Sequence, residues 1–362
     1  RLRCNTCGTY FTAALPEAIQ QDGPAEQTYG YSARALMAIQ KYFAGAPFYR
    51  QQTLQQLFGL PISASTVFDQ CEQLANAIRP LFACLLALAA TAGLYFVDDT
   101  TNRILTQGPV IKPDRRTGKP KLRSGVYTSG MIAVLADGQR CLLYQTNVGH
   151  AGEWLDEILS GRPATAPPPL VMSDALNHNR PSVVPVYQQA LCNAHARREF
   201  VDVAHLFPDQ VPDVLEQYAR IWLHERQCQG LSPAQRLAYH RAHSLPVMEQ
   251  LRDGFQRQLC GEVEANSGLG QAIGYFLRHY AGLTAYCRFE GAPLDNNLME
   301  QALKLVIRGR KNALFFKTPA GAAIADVITS VVATAHQAGI NTFDYLIALQ
   351  QHADAVKAQP ER

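Results

Sequence analysis

The sequence has little net charge. Thirty-three Lys and Arg stand against 30 Asp and Glu, a balance of +3 over 362 residues. That excludes a histone-like polycation and confines any phosphate-binding surface to local basic patches. A full-length hydrophobic span is also missing. The nearest run, Leu81 to Val97, is short and is divided by Thr91 and Gly93, so it reads as a buried helix followed by a strand and predicts no membrane insertion. There is no internal repeat or low-complexity tract, and nothing near Arg1 reads as a secretory leader. The nine cysteines are odd in number and only Cys4 and Cys7 lie close together, which argues against a disulfide framework and for a reducing cytoplasm. The chain opens on Arg1-Leu2-Arg3 rather than Met, which predicts a natural start upstream. With 47% apolar and 17% charged residues, the chain can bury a substantial core, and its length suggests two or three compact units.

Four regions are expected. Residues 1–24 read as a small Cys-bearing module and a linker, and residues 25–90 as a helical region. Within the second, Gln51 to Phe58 is amphipathic, Gly59 breaks it, and Ser63-Ala64-Ser65-Thr66 opens another helix running to Ile78. A helix, a glycine turn and a Ser/Thr-capped helix form a helix-turn-helix signature, with an ordinary helical hairpin as the alternative. Residues 91–345 read as an α/β unit interrupted by a helical insertion at about 196–290, and residues 346–362 as a tail. In the α/β unit, Gly93 to Asp98 is a short apolar strand followed by a polar loop. Gly125 to Leu135 and Arg140 to Thr146 flank the hairpin turn Asp137-Gly138, Ala151 to Leu159 is helical, and Leu170 to Asp174 is another strand.

Asp98 and Asp174 each close an apolar run. In open α/β sheets functional groups gather at carboxyl ends of strands, so adjacent strands would bring both carboxylates into one cleft. There they repel unless a cation or proton intervenes, and hard oxygen ligands suit Mg²⁺ or Mn²⁺. A helix N-cap is the alternative for either residue. Glu300 borders a helical face of Met299, Ala302, Leu303 and Val306, where it reads as a half-buried carboxylate over the sheet edge or as half of a solvated pair with Lys304. The stretch 301–317 then carries five basic residues (Lys304, Arg308, Arg310, Lys311 and Lys317) and no acid. A second patch, 103–123, has seven basic residues, among them Arg115, Arg116, Lys119 and Lys121, and one acid. Both fit a phosphate backbone or a solvated face.

Cys192 and His195 share a helix face, but two ligands do not make a structural zinc site, and a packed Cys beside a hydrogen-bonded His is the favoured reading. Cys4-Asn5-Thr6-Cys7 is half a zinc knuckle. His150 and Glu153 read as a helix start with an acid in its first turn.

Taken in order, Val97-Asp98-Asp99-Thr100, His150-Ala151-Gly152-Glu153, Met172-Ser173-Asp174-Ala175-Leu176, Leu191 to Phe200, Asn266 to Gly270, Gly291 to Asn297, Glu300, Arg310-Lys311-Asn312 and Asp344-Tyr345-Leu346 resemble transposases of the insertion-sequence 66 family. The resemblance implies a ribonuclease-H-like core preceded by a helical region and a truncated zinc-binding segment. It also implies an acid triad of Asp98, Asp174 and Glu300 holding two Mg²⁺ or Mn²⁺ ions. The family often has Glu where this chain has Asp99; Asp98, which ends the apolar run, is assigned to the triad. Zinc at Cys4 and Cys7 would need further ligands upstream. The implied partners are element ends and target DNA, further copies of the chain, and accessory proteins of the same element. The implied location is the bacterial cytoplasm, at the nucleoid. Arg197 and Arg198, beside Cys192 and His195, are expected to touch phosphate. The expected activity is metal-dependent DNA strand cleavage and strand transfer. The alternatives are an inactive element-derived DNA-binding protein, or a ribonuclease-H-like nuclease outside transposition.

Overall fold

Alternation builds the central sheet. In Tyr95-Phe96-Val97 and in Met131-Ile132-Ala133 successive side chains point to opposite faces, and both faces are buried. The computed structural model describes residues 2–361 except 12–13, 25–26, 115–116 and 183–185. Its five-stranded sheet contains β1 (Leu94–Asn102), β2 (Val126–Val134), β3 (Arg140–Asn147), β4 (Leu170–Ser173) and β5 (Gln188–Leu191). The strand order is β3-β2-β1-β4-β5. The first three strands form an antiparallel meander, and β4 and β5 continue it in parallel from β1.

The main helices are α1 (Tyr31–Ala38, continued by a π-helical turn Ile39–Phe43), α2 (Phe48–Leu57), α3 (Ala64–Ala90) and α4 (Ala151–Ser160). Four more, α5 (Asn193–Val203), α6 (Val211–Gln227), α7 (Pro233–Leu259) and α8 (Gly268–Leu283), follow β5 without a strand between them. The chain then forms α9 (Asn297–Ala313), α10 (Pro319–Gln337) and α11 (Thr342–Gln351). One sheet face, with Phe96, Ile132, Tyr144 and Met172, packs against Phe200, Phe276, Met299 and Leu303 from the later helices. The other, with Tyr95, Val97, Met131 and Val171, packs against the end of α3 and Trp154, Leu155 and Ile158 of α4.

Several expectations change. Strand β1 runs through Asp98 to Asn102 because its antiparallel pairing with β2 continues to Asn102↔Val126. The following loop contains a two-stranded arm, Val110–Pro113 paired with Pro120–Arg123. The polar segment Gln188–Leu191 forms an edge strand that carries no alternating signal. Helix α3 starts where expected, with Ser63 Oγ accepting from Thr66 N at 3.1 Å, but continues past Ile78 and Pro80 to Ala90. By length and composition it could cross a membrane, yet Leu74 and Ile78 are buried against α10 and α11. The stretch from 346 is no loose tail. Leu346 and Leu349 of α11 join Ala35, Leu74, Ile78, Ile328 and Val331 in one cluster, so the region 25–90 and the C-terminal helices share a core.

The exposed edge of β3 is closed by side chains. The N–H groups of Leu142, Tyr144 and Thr146 donate to Thr334 Oγ1 (3.0 Å), Ser330 Oγ (2.9 Å) and Asp326 Oδ2 (2.7 Å) of α10. Four helical residues rise about 6 Å and two strand residues about 6.7 Å, so a polar stripe at i, i+4 and i+8 keeps step with alternate strand amides. Such a stripe satisfies amides that an open edge would offer to another chain. Burial pushes the Asp326 carboxyl up to about 7, against the two hydrogen bonds from Thr146.

Gly130 sets the other approach. It pairs with Asp98 in the β1–β2 register, and a Cβ there would overlap Met299 Cε and meet Leu303 Cδ2 at 3.0 Å. The missing side chain lets α9 lie flat on the sheet beside Asp98.

Two outcomes follow for stability. Gly130→Val overpacks this contact and should cost about 1–3 kcal/mol in urea unfolding; an unchanged midpoint would show that α9 does not depend on the gap. For Asp326 the folded-state pKa lies above the unfolded value. Its stabilising proton is therefore fully held below about pH 4 and lost as pH rises through about 7. Asp326→Asn removes that loss. Its unfolding free energy relative to wild type should shift in the variant's favour between pH 5 and pH 8, by up to about 1.4 kcal/mol per pH unit over the titrating range. A difference independent of pH would show that Asp326 does not titrate in this window.

Candidate active site

Asp98 and Asp174 meet because of strand register. Phe96 of β1 is opposite Met172 of the parallel β4, and each acid lies two residues further on. Asn179 ties them together: its side-chain amide donates to Asp174 Oδ1 at 2.8 Å and reaches Asp98 Oδ1 at 3.4 Å. Asp174 is 8% exposed. Its Oδ1 also accepts from Leu176 N at 3.1 Å, which shapes the turn before a short 3₁₀ helix, Asn177–Asn179. Asp98 caps no helix, since it lies inside the strand. Burial first, and then the neighbouring Asp174, push the Asp98 carboxyl up to about 7; Asp99 and Glu300 add smaller repulsions, and a hydrogen bond from Asp99 N opposes them.

Glu300 arrives on α9. Asn296, just before this helix, donates its side-chain amide to Val97 O at 3.1 Å, one residue ahead of Asp98. Asn296 N donates to Cys192 Sγ at 3.2 Å. Asn193 holds the preceding loop, donating to Leu283 O and Leu294 O at 2.9 and 3.1 Å. Glu300 therefore lies over the sheet next to Asp98, and its Oε1 is 3.6 Å from Nδ1 of His195. The expected hydrogen bond to His195 is missing on this side, since Nδ1 has no hydrogen-bond partner.

The parity of β1 separates the adjacent acids. Asp98 shares the face of Phe96, toward α9, whereas Asp99 shares that of Val97, toward α4. Asp99 Oδ2 lies 2.7 Å from Nδ1 of His150, the residue preceding α4. The His150 ring lies between Tyr127 and His178, with centroids 4.0 and 4.3 Å away. Glu153, in the first turn of α4, pairs with Arg123 and Lys112 and so anchors the base of the two-stranded arm.

Asp98 and Asp174 offer hard oxygen donors of the kind Mg²⁺ or Mn²⁺ prefers, and Glu300 is near enough to act on Asp98; among the described residues the three acids do not close into a set with ligand atoms all within 4.8 Å. The raised Asp98 pKa reflects first the burial of its charge and then repulsion from Asp174. A divalent cation would reverse that balance.

The basic residues divide. Arg310 Nη1 donates to Thr100 Oγ1 (2.9 Å) and to Thr101 of β1, and Arg308 donates to Phe43 O, so both join α9 to neighbouring elements. Lys304, Lys311, Arg197 and Arg198 are exposed. Lys119 and Lys121 are exposed on the arm, with Lys121 Nζ 3.6 Å from Asp114. Arg115 and Arg116 lie outside the described residues. Cys4 and Cys7 sit in the turn joining Leu2–Arg3 to Tyr10–Phe11. Hydrogen bonds from the Cys7 and Thr6 backbones lower the Cys4 thiol to about 7. Among the described residues no third ligand joins this pair.

Sequence reasoning missed Asn179 and gave Asn296 no role. Their signal was position: one lies five residues after Asp174, the other four residues before Glu300.

The chain is similar to three uncharacterized proteins of Sinorhizobium fredii. It is 24% identical to y4jD over 96% of the chain and 66% of that protein, and 25% identical to y4hP over 90% and 60%. It is 22% identical to y4qI over 92% of the chain and 60% of that protein. It thus spans about 60 to 66% of the length of these curated relatives. The family described as Transposase IS66 family matches residues 26–324, a range that takes in Asp98, Asp174, Asn179, His195, Asn296 and Glu300, and the chain belongs to that family.

Proposed function

We propose that the chain carries out metal-dependent cleavage of DNA strands and their transfer into target DNA, on a ribonuclease-H-like core. The observation that carries this reading is the meeting of Asp98 and Asp174 on the adjacent strands β1 and β4, with Asn179 reaching both and Glu300 close enough to add to the repulsion at Asp98. The meander followed by two parallel strands supports the core assignment. When bound, a pair of Mg²⁺ or Mn²⁺ ions would activate a water or 3′-hydroxyl and neutralise the leaving oxygen. The protein's part is to present the three carboxylates. Asn179 orients the aspartates, Asn296 fixes the start of α9, and Gly130 lets that helix close on β1. No Ser or Tyr nucleophile is required.

Lys119, Lys121, Arg197, Arg198, Lys304 and Lys311 would hold the phosphate backbone. Helices α2 and α3, separated by Gly59, would read an element end. Joining two ends calls for at least two copies of the chain, and accessory proteins of the element and work at the nucleoid belong to the same reading.

Asp98→Asn, Asp174→Asn and Glu300→Gln should each lower Mg²⁺-dependent nicking and joining of terminal-repeat DNA on the order of 10²–10³-fold, with gel-shift binding retained. Wild-type binding without turnover would favour a DNA-binding protein lacking chemistry. Cleavage with no preference for element ends would favour a nuclease outside transposition. Lys119→Ala and Lys311→Ala should each reduce the slope of log affinity against log salt by about 0.9; slopes equal to wild type would remove these two lysines from the DNA path.

A further inference from the structure

We propose that Cys192, His195 and Glu300 form a second metal site, one that selects a thiolate-preferring transition ion such as Zn²⁺. One potential ligand atom from each residue lies within 4.8 Å of the other two. The set of sulfur, imidazole nitrogen and one carboxylate oxygen is softer than the three carboxylates beside it. Three protein ligands with an open fourth position is a coordination that Zn²⁺ adopts.

Spacing and lack of partners support the assignment. His195 Nδ1 and Glu300 Oε1 are both buried atoms without hydrogen-bond partners. They stand 3.6 Å apart, too far for a hydrogen bond. Two ligands on a tetrahedral ion with bonds of 2.0–2.1 Å lie about 3.4 Å apart, so a shared ion fits this gap with little movement. Cys192 immediately precedes α5 and His195 is in its first turn, so their relative placement is set by helix geometry. Asn296 N already donates to Cys192 Sγ at 3.2 Å, the kind of outer hydrogen bond that orients a metal-bound thiolate. Asn296 also adjoins α9, so the residue that places Glu300 also contacts the sulfur.

Glu300 is common to this site and to the proposed catalytic triad. Binding of the soft ion stands whether or not the chain cleaves DNA, and the test reads binding alone.

The probe is Co²⁺, titrated into the full chain carrying Cys4→Ser and Cys7→Ser to remove the N-terminal thiols. The expected result is a near-ultraviolet thiolate-to-cobalt charge-transfer band saturating at one equivalent and displaced by Zn²⁺. Cys192→Ser should abolish the band, and His195→Gln and Glu300→Gln should each weaken Co²⁺ binding about tenfold or more, with circular dichroism reporting the fold of each variant. No band at millimolar Co²⁺, or a band that survives Cys192→Ser, would overturn the proposal. Should Cys192→Ser fail to fold, retained affinity in both His195→Gln and Glu300→Gln would overturn it equally.

Discussion

The close approach of α9 to the β1–β2 pair is the constraint on which the candidate site depends. A helix normally stands off a sheet by the depth of the side chains between them. Here the position opposite Asp98 has no side chain, and Met299 and Leu303 fill that space instead. The next residue after Met299 is Glu300. Burying an apolar pair in the gap and delivering a carboxylate to the aspartates are therefore one packing event. Asn296 adds direction by binding Val97 O, so the helix is fixed in register as well as in depth. The electrostatic cost appears at Asp98, where burial and the neighbouring Asp174 push the carboxyl up to about 7. Apolar packing thus holds together charges that would otherwise separate.

Much of this was legible in the residues. The runs around Phe96, Ile132, Leu143 and Val171 are apolar on both faces, as strands covered on both sides must be, and Asp137-Gly138 marks its turn. The face of α9 was also readable, since Met299 and Leu303 recur at helical spacing and both are buried. The choice between Asp98 and Asp99 was not decidable from the strand alone. Parity says that they point opposite ways, but only the packing of α4 and α9 says which way is which. The neighbour of His195 was out of sight for a related reason: Glu300 lies 105 residues further along the chain. Strand β5 was invisible because Gln188-Gln189-Ala190-Leu191 lacks alternation, and its place comes from pairing with β4.

The edge of β3 shows a polar pattern that reads differently in the sequence and in the fold. Asp326, Ser330 and Thr334 interrupt a largely apolar helix and look like defects in its core face. In place they act as a row of acceptors for strand amides, so α10 does for β3 what a further strand would do. A helix can take that role only while its polar stripe stays in step with the strand, which limits the match to the three contacts seen.

The shared core of α1, α3, α10 and α11 bears on the order in which the chain can mature. Residues 31–90 are made before the sheet and the helical insertion, yet the apolar surface of Leu74 and Ile78 is covered by Ile328, Val331 and Leu346, which are made after both. The early helices therefore wait with an uncovered flank while the sheet and the helical insertion assemble. A product terminated before α10 would lack the covering helices and leave this apolar flank open to water, which makes it a substrate for chaperones and proteases.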